Sequence, residues 1–111
     1  MSQTWTFVCA SSELLPGEMR TAFDEVTEAP IVVFNIDGEL YALLDQCSHE
    51  DFELSSGVFD AAAGTIECIL HAARFDVRDG RPLCPPAYTP VVRFPVKREN
   101  EAIWARDDRE D

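Results

Sequence analysis

Short runs of β-branched, aromatic and aliphatic residues recur along the chain, and turn-forming residues separate them. No long amphipathic stretch with helical periodicity interrupts this pattern. The pattern predicts an all-β fold, arranged as a sandwich or a small barrel. The predicted strands cover residues 4–9, 19–23, 31–36, 40–44, 65–68, 74–77, 91–96 and 102–105.

Three dipeptides mark turns between these strands. Asp37-Gly38 joins the third and fourth strands into the clearest hairpin, because both residues tolerate the positive φ angles of a tight turn. Asp79-Gly80 repeats this dipeptide, and Asn100-Glu101 is expected to turn the chain between the last two strands. We expect a single domain over residues 1–106, followed by a solvated acidic tail at 107–111.

The composition of the chain limits the classes of molecule that it can bind. The chain has 111 residues and a formal net charge of -12, so it would repel nucleic acid and anionic membrane surfaces. The start of the sequence lacks the basic and apolar segments of a secretory signal, and no apolar run is long enough to span a membrane. We therefore expect a cytoplasmic protein, whose four cysteines serve as ligands or thiols in a reducing compartment.

The chain has two histidines, and each lies close to a cysteine. The sequence reads Cys47-Ser48-His49 and then, after residues 50–67, Cys68-Ile69-Leu70-His71. The first group follows the fourth predicted strand, and the second group begins at the last residue of the fifth predicted strand. Loops held by rigid strands are common places for binding sites, so the candidate metal ligands are Cys47, His49, Cys68 and His71.

Two thiolates and two imidazoles can bind one tetrahedral zinc ion or a two-iron cluster. Zinc fingers usually pair like ligands within one loop, whereas each loop here supplies one cysteine and one histidine. That arrangement suits a [2Fe–2S] cluster with both cysteines on one iron and both histidines on the other. From the residues alone, a zinc site or a set of ordinary core thiols and hydrogen-bonded imidazoles stays open.

The two motifs, together with Phe75, Gly80 and Cys84-Pro85-Pro86-Ala87, resemble the Rieske family. Within it, the chain is similar to the small ferredoxins of bacterial aromatic-ring-hydroxylating dioxygenases. The resemblance implies three stacked antiparallel sheets, with the cluster held between two loops at one end and the proline loop covering a third side. Ile69 stands where proline is common in this family, and Ala72 stands where glycine is common.

The resemblance also implies a function, that of a soluble electron carrier. Its partners would be a flavin-containing ferredoxin reductase and a terminal oxygenase, and it would have no small-molecule substrate of its own. An oxygen-activating iron site needs two further histidines, and none remain once His49 and His71 bind a cluster, so we expect no catalytic site. We also expect a monomer. The alternatives are a Rieske subunit of another oxidoreductase and a zinc-stabilised, non-redox interaction domain.

High-potential members of the family carry an extra disulfide and two hydroxyl groups that donate to the cluster sulfurs. The corresponding positions here are Phe52 and Leu70 for the disulfide, and Ala73 and Phe75 for the hydroxyls. Because these groups are missing, we expect a reduction potential near the low end of the Rieske range.

Three other residues allow two interpretations each, whereas Cys9 is expected in the core. Cys84 is either a tuning contact of the cluster or an ordinary packed thiol. Phe52 and Leu54 either form an apolar docking rim around His49 or pack beneath the first loop.

Overall fold

The computed structural model describes residues 4–46, 53–68, 73–84 and 89–109. Over these residues the chain is built from β-strands and two single-turn 3-10 helices, Ser11–Glu13 and Leu54–Ser56. No helix in the described ranges has the length and apolar character needed to cross a bilayer. The strands are β1 (Thr6–Ala10), β2 (Met19–Asp24), β3 (Ala29–Ile36), β4 (Glu39–Leu44), β5 (Val58–Asp60), β6 (Thr65–Glu67), β7 (Arg74–Asp76), β8 (Arg93–Phe94), β9 (Val96–Glu99) and β10 (Ala102–Ala105).

The strands of the described residues form three antiparallel sheets. Sheet A has the order β1-β10-β9, sheet B has the order β2-β3-β4-β8, and sheet C has the order β5-β6-β7. Every pairing within them is antiparallel. The all-β class and the three-sheet architecture expected from the sequence are confirmed.

Strand β3 explains why sheet B lies between the other two sheets. Its side chains alternate, so Ile31 and Val33 belong to one buried cluster with sheet A, while Val32 and Phe34 belong to another with sheet C. All four are fully buried, and burial stabilises the fold by about 1.5–3 kcal/mol for each such side chain. A strand with two buried faces reads in the sequence as a continuous apolar run.

Two of the three predicted turns are confirmed. Asp37 and Gly38 have φ angles of 51° and 94°, and Asn100 and Glu101 have φ angles of 53° and 61°. At the third, Gly80 has a φ of 80°, and its amide donates to the carbonyl of Asp76 at 2.7 Å, so this dipeptide closes a wider turn than a two-residue hairpin.

Two strand predictions were wrong. Strand β5 was missed because three residues are too few for an alternating pattern to be recognised. The strand predicted over 91–96 is interrupted at Pro95, and β8 and β9 join different sheets on either side of it. Proline cannot donate to a strand ladder, which accounts for a break at this point.

The segment that follows β10 is held against the fold at Asp107. This residue is 2% exposed, and its amide donates to the Asp24 carboxylate at 3.0 Å. The Arg109 guanidinium donates twice to the Asp107 carboxylate, at 3.0 and 2.8 Å. The prediction of a solvated tail from 107 is therefore wrong at Asp107, because its carboxylate has a charged partner and its amide a buried acceptor.

Replacing Asp107 by Asn should destabilise the protein in a pH-dependent way. The hydrogen bond from Arg109 lowers the pKa of Asp107 from 3.8 to about 2, so the ionised form stabilises the fold above pH 3.8 and this contribution is lost as pH falls towards 2. We expect Asp107→Asn to lower the free energy of unfolding by about 2 kcal/mol at pH 6 and by roughly half as much at pH 3. Urea unfolding followed by tryptophan fluorescence measures both values, and an equal loss at both pH values would contradict this role.

Candidate metal centre

Of the four predicted ligands, Cys68 lies within the described residues. It directly follows β6, is fully buried, and belongs to the apolar cluster that sheets B and C share. Cys47, His49 and His71 lie outside the described residues. The residues that flank the two ligand loops form the described part of the site.

The second ligand loop, residues 69–72, begins and ends on a hydrogen-bonded pair. The amide of Cys68 donates to the carbonyl of Ala73 at 2.6 Å, and Glu67 of β6 pairs with Arg74 of β7 next to it. This strand pairing fixes the distance between the two ends of the loop. Cys68 and the residue before β7 are thus held side by side at the edge of the core.

The first ligand loop, residues 47–52, is flanked by Asp45 and Ser55. The Asp45 carboxylate accepts hydrogen bonds from the Ser55 amide at 2.8 Å and from the Ser55 hydroxyl at 2.7 Å. Leu54 beside it is fully buried in the cluster that contains Cys68. Of the two interpretations of Leu54, exposure on a docking rim is wrong, because the side chain is buried in the core.

Gly57 brings the first loop against the strand that ends at Cys68. A Cβ atom at position 57 would lie 1.9 Å from the carbonyl oxygen of Glu67, so this position admits no side chain without movement of one segment. The φ of Gly57 is -90°, which any residue can adopt, so space rather than backbone strain requires glycine here.

A third segment reaches the same edge of sheet C. The amide of Leu83 donates to the carbonyl of Arg74 at 2.8 Å, and Pro82 forms a bridge with Phe75. Half-buried Cys84 follows and begins the predicted proline loop, whose Pro85-Pro86-Ala87 lie outside the described residues. The start of the proline loop is thus attached to β7.

One ion pair lies beside the second loop. The Arg74 Nε atom is 2.9 Å from Glu67 Oε1, and this hydrogen bond raises the pKa of the Arg74 guanidinium. The pair compensates the negative charge of Glu67, the residue that precedes Cys68. Arg74 is largely exposed, so solvent screens the pair and its effect on stability is small.

The flanking residues fit a cluster held between two loops. Cys68 is fully buried, and Leu54, Cys68 and Ala73, which flank the two loops, belong to one apolar cluster, so a metal bound between the loops would have apolar protein on one side. The sequence supplies a cysteine and a histidine in each loop, which is the set of donors that mixed Cys/His ligation requires. The spacing of ligands did not reveal Asp45, Ser55 or Gly57, and a weak signal was the Ser56-Gly57 dipeptide, which is typical of a turn.

Comparison with known proteins agrees with this geometry. Residues 4–95 match the family described as the Rieske [2Fe-2S] domain. The chain is 43% identical over 98 residues to the ferredoxin component of biphenyl 2,3-dioxygenase from Rhodococcus jostii (strain RHA1), covering 88% of each chain. It is 38% identical over 98 residues to the 3-phenylpropionate/cinnamic acid dioxygenase ferredoxin subunit of Escherichia coli (strain K12), covering 88% of this chain and 89% of that one.

Solved structures give the same relationship. The ferredoxin of carbazole 1,9a-dioxygenase from Nocardioides aromaticivorans IC177 superposes with a TM-score of 0.85 at 32% identity, covering 93% of this chain and 97% of that one. A chain from the complex of reduced oxygenase and oxidized ferredoxin in carbazole 1,9a-dioxygenase superposes with a TM-score of 0.84 at 33% identity, covering 94% of both chains.

Replacing Gly57 by Ala should disturb the site. The added Cβ would push the first loop away from Glu67, and such overpacking typically lowers the free energy of unfolding by about 1–3 kcal/mol. Because the displaced carbonyl directly precedes Cys68, we also expect less iron per purified chain, measured by colorimetric iron assay.

Gly38→Ala is the matched control. Gly38 has a positive φ of 94° but nothing within 4 Å of an added Cβ, so its replacement should cost about 1 kcal/mol of stability without reducing the iron content. Equal iron loss in the two variants would show that the close approach at Gly57 is not specific to the site.

Proposed function

Because the chain belongs to the Rieske [2Fe-2S] domain family, we propose that it is the ferredoxin component of a multicomponent aromatic-ring dioxygenase. In this role it receives electrons from a flavin-containing reductase and delivers them singly to a terminal oxygenase. The observation that carries the proposal is the near-full-length correspondence with proteins named as ferredoxin components, which extends over 88% or more of both chains. The oxygenase partner is further supported by the likeness to a ferredoxin described in complex with its oxygenase.

The proposed ligands are Cys47 and Cys68 on one iron and His49 and His71 on the other. When bound, the cluster supplies a reversible one-electron couple. The chain supplies a buried thiol at Cys68, an apolar wall that includes Leu54 and Phe75, and loop bases held by hydrogen bonds. An apolar wall keeps water from this side of the site, which strengthens the electrostatic effect of nearby charges on the potential.

Surface character supports brief docking to other proteins. The net charge of -12 favours encounter with basic surfaces, in a manner that depends on salt. Exposed Val58 of β5 and exposed Leu83, whose amide donates to the Arg74 carbonyl of β7, flank the Glu67–Arg74 pair next to the second loop. A cytoplasmic location, a monomeric state and a single domain that includes Asp107 complete the proposal.

The ligand assignment predicts a specific pattern of cluster loss. Wild-type protein purified anaerobically should contain two irons and two acid-labile sulfides per chain, and after reduction it should give the electron paramagnetic resonance spectrum of mixed histidine and cysteine ligation. Replacing Cys47 or Cys68 by Ser, or His49 or His71 by Ala, should abolish this content.

Cys9→Ser and Cys84→Ser are the controls for that series, because these cysteines have no ligand role in the proposal. Both variants should keep the cluster. A wild-type protein that carries zinc and no labile sulfide would reject the electron-carrier function and favour a zinc-stabilised domain.

The environment of the second loop predicts a low reduction potential. Ala73 and Phe75 are fully buried and occupy the positions at which high-potential relatives carry hydroxyl donors. Rieske potentials span about −150 to +300 mV, and we expect a midpoint near the lower limit. A spectroscopic redox titration measures it, and Ala73→Ser, which adds a donor, should raise it. A clearly positive midpoint potential of the wild-type protein would contradict the expectation of a low potential.

A further inference from the structure

The Asp45–Ser55 contact joins the two ends of the first ligand loop. Asp45 is 5% exposed, and both of its carboxylate oxygens accept from Ser55, Oδ1 from the amide and Oδ2 from the hydroxyl. Hydrogen bonds to an ionised carboxylate are roughly twice as strong as neutral ones. A contact of this kind fixes the separation and the relative orientation of the residues that it joins.

Each side of this contact is anchored to the core. The amide of Asp45 donates to the carbonyl of Pro30 on β3 at 2.9 Å. Ser55 lies in the 3-10 turn Leu54–Ser56, where Leu54 is fully buried. The Asp45 carboxylate therefore links two positions, at either end of residues 46–54, that the core already holds in place.

The contact is also close to the second loop. Two residues after Ser55, Gly57 lies against the carbonyl of Glu67, which is the residue before Cys68. A shift of Ser55 would be transmitted over this short distance to the strand that supplies the second cysteine. Asp45 itself lies two residues before Cys47.

We propose that Asp45 and Ser55 are positioning residues for the cluster, which hold the first loop so that Cys47 and His49 meet the ligands of the second loop. This inference rests on the proposed function, because it takes Cys47 and His49 as ligands. Neither residue contacts the metal in this account, and both act through the loop that they close. The resistance of the cluster to loss and its spectroscopic signature depend on the contact.

The test compares four single variants and one double variant of the cluster-loaded protein. Ser55→Ala removes the hydroxyl bond and keeps the amide bond, Asp45→Asn keeps the shape and removes the charge, and Ser55→Thr keeps both donors. Ser56→Ala, at the exposed neighbouring position, is the matched control. Iron release to a chelator, the electron paramagnetic resonance spectrum and the midpoint potential are measured for each.

We expect Asp45→Asn and Ser55→Ala to release iron about tenfold faster than wild type, which corresponds to about 1.4 kcal/mol. Both should also shift the resonance spectrum or the midpoint potential. Ser55→Thr and Ser56→Ala should match wild type. The Asp45→Asn/Ser55→Ala double variant should be little worse than Asp45→Asn alone, since residues that share one interaction are not additive.

Other outcomes separate the alternatives. Variants that lose folding stability but keep the wild-type release rate, spectrum and potential would overturn the positioning role. If Asp45→Asn does not fold, the comparison of Ser55→Ala with Ser55→Thr decides the question. A wild-type protein without iron and labile sulfide would reject the proposed function as well, whereas loaded wild type with unaffected variants would reject this inference alone.

Discussion

The packing of sheet C against sheet B is the constraint on which the candidate site depends. Val32 and Phe34 of β3 share a buried cluster with Ile66 and Phe75 of sheet C, and Cys68 belongs to it. Protein interiors are close-packed, so β6 and β7 cannot move without opening this cluster. The backbone on either side of the second ligand loop is therefore fixed by hydrophobic packing, in which Cys68 takes part.

Polar contacts beside that core fix the loops that leave the packed strands. Apolar packing holds strands in place but does not set the conformation of a loop that leaves them. The Cys68–Ala73 backbone bond and the Asp45–Ser55 contact each join the two sides of one loop. In a partly buried setting such hydrogen bonds are stronger than in water, and breaking one leaves an unsatisfied buried group. These few contacts are consequently hard to replace.

The sequence predicted the parts of the structure that depend on local chemistry. Asp37-Gly38 was recognised because two adjacent residues with positive φ suffice for a hairpin. The Cys/His pairs could be proposed as ligands because ligand spacing is also a local feature of the sequence. Asp45 and Ser55 were missed because their contact spans the ligand loop. The residues next to each of them carry no local sequence signal for such a contact. Gly57 was missed for the same reason, since its requirement comes from the Glu67 carbonyl on another strand.

The division between the two buried clusters separates global stability from ligand geometry. The Asp24–Asp107 contact joins the end of β2 to the segment after β10, and so ties sheet B to sheet A. The Cys68–Ala73 and Asp45–Ser55 contacts, which join the two sides of each ligand loop, instead lie where sheet B meets sheet C. An electron carrier benefits from this separation, because a preorganised ligand frame needs little rearrangement when the charge at its centre changes. Substitutions between sheets A and B can weaken the fold while the residues that flank the two ligand loops keep their arrangement, since distant sites act nearly independently.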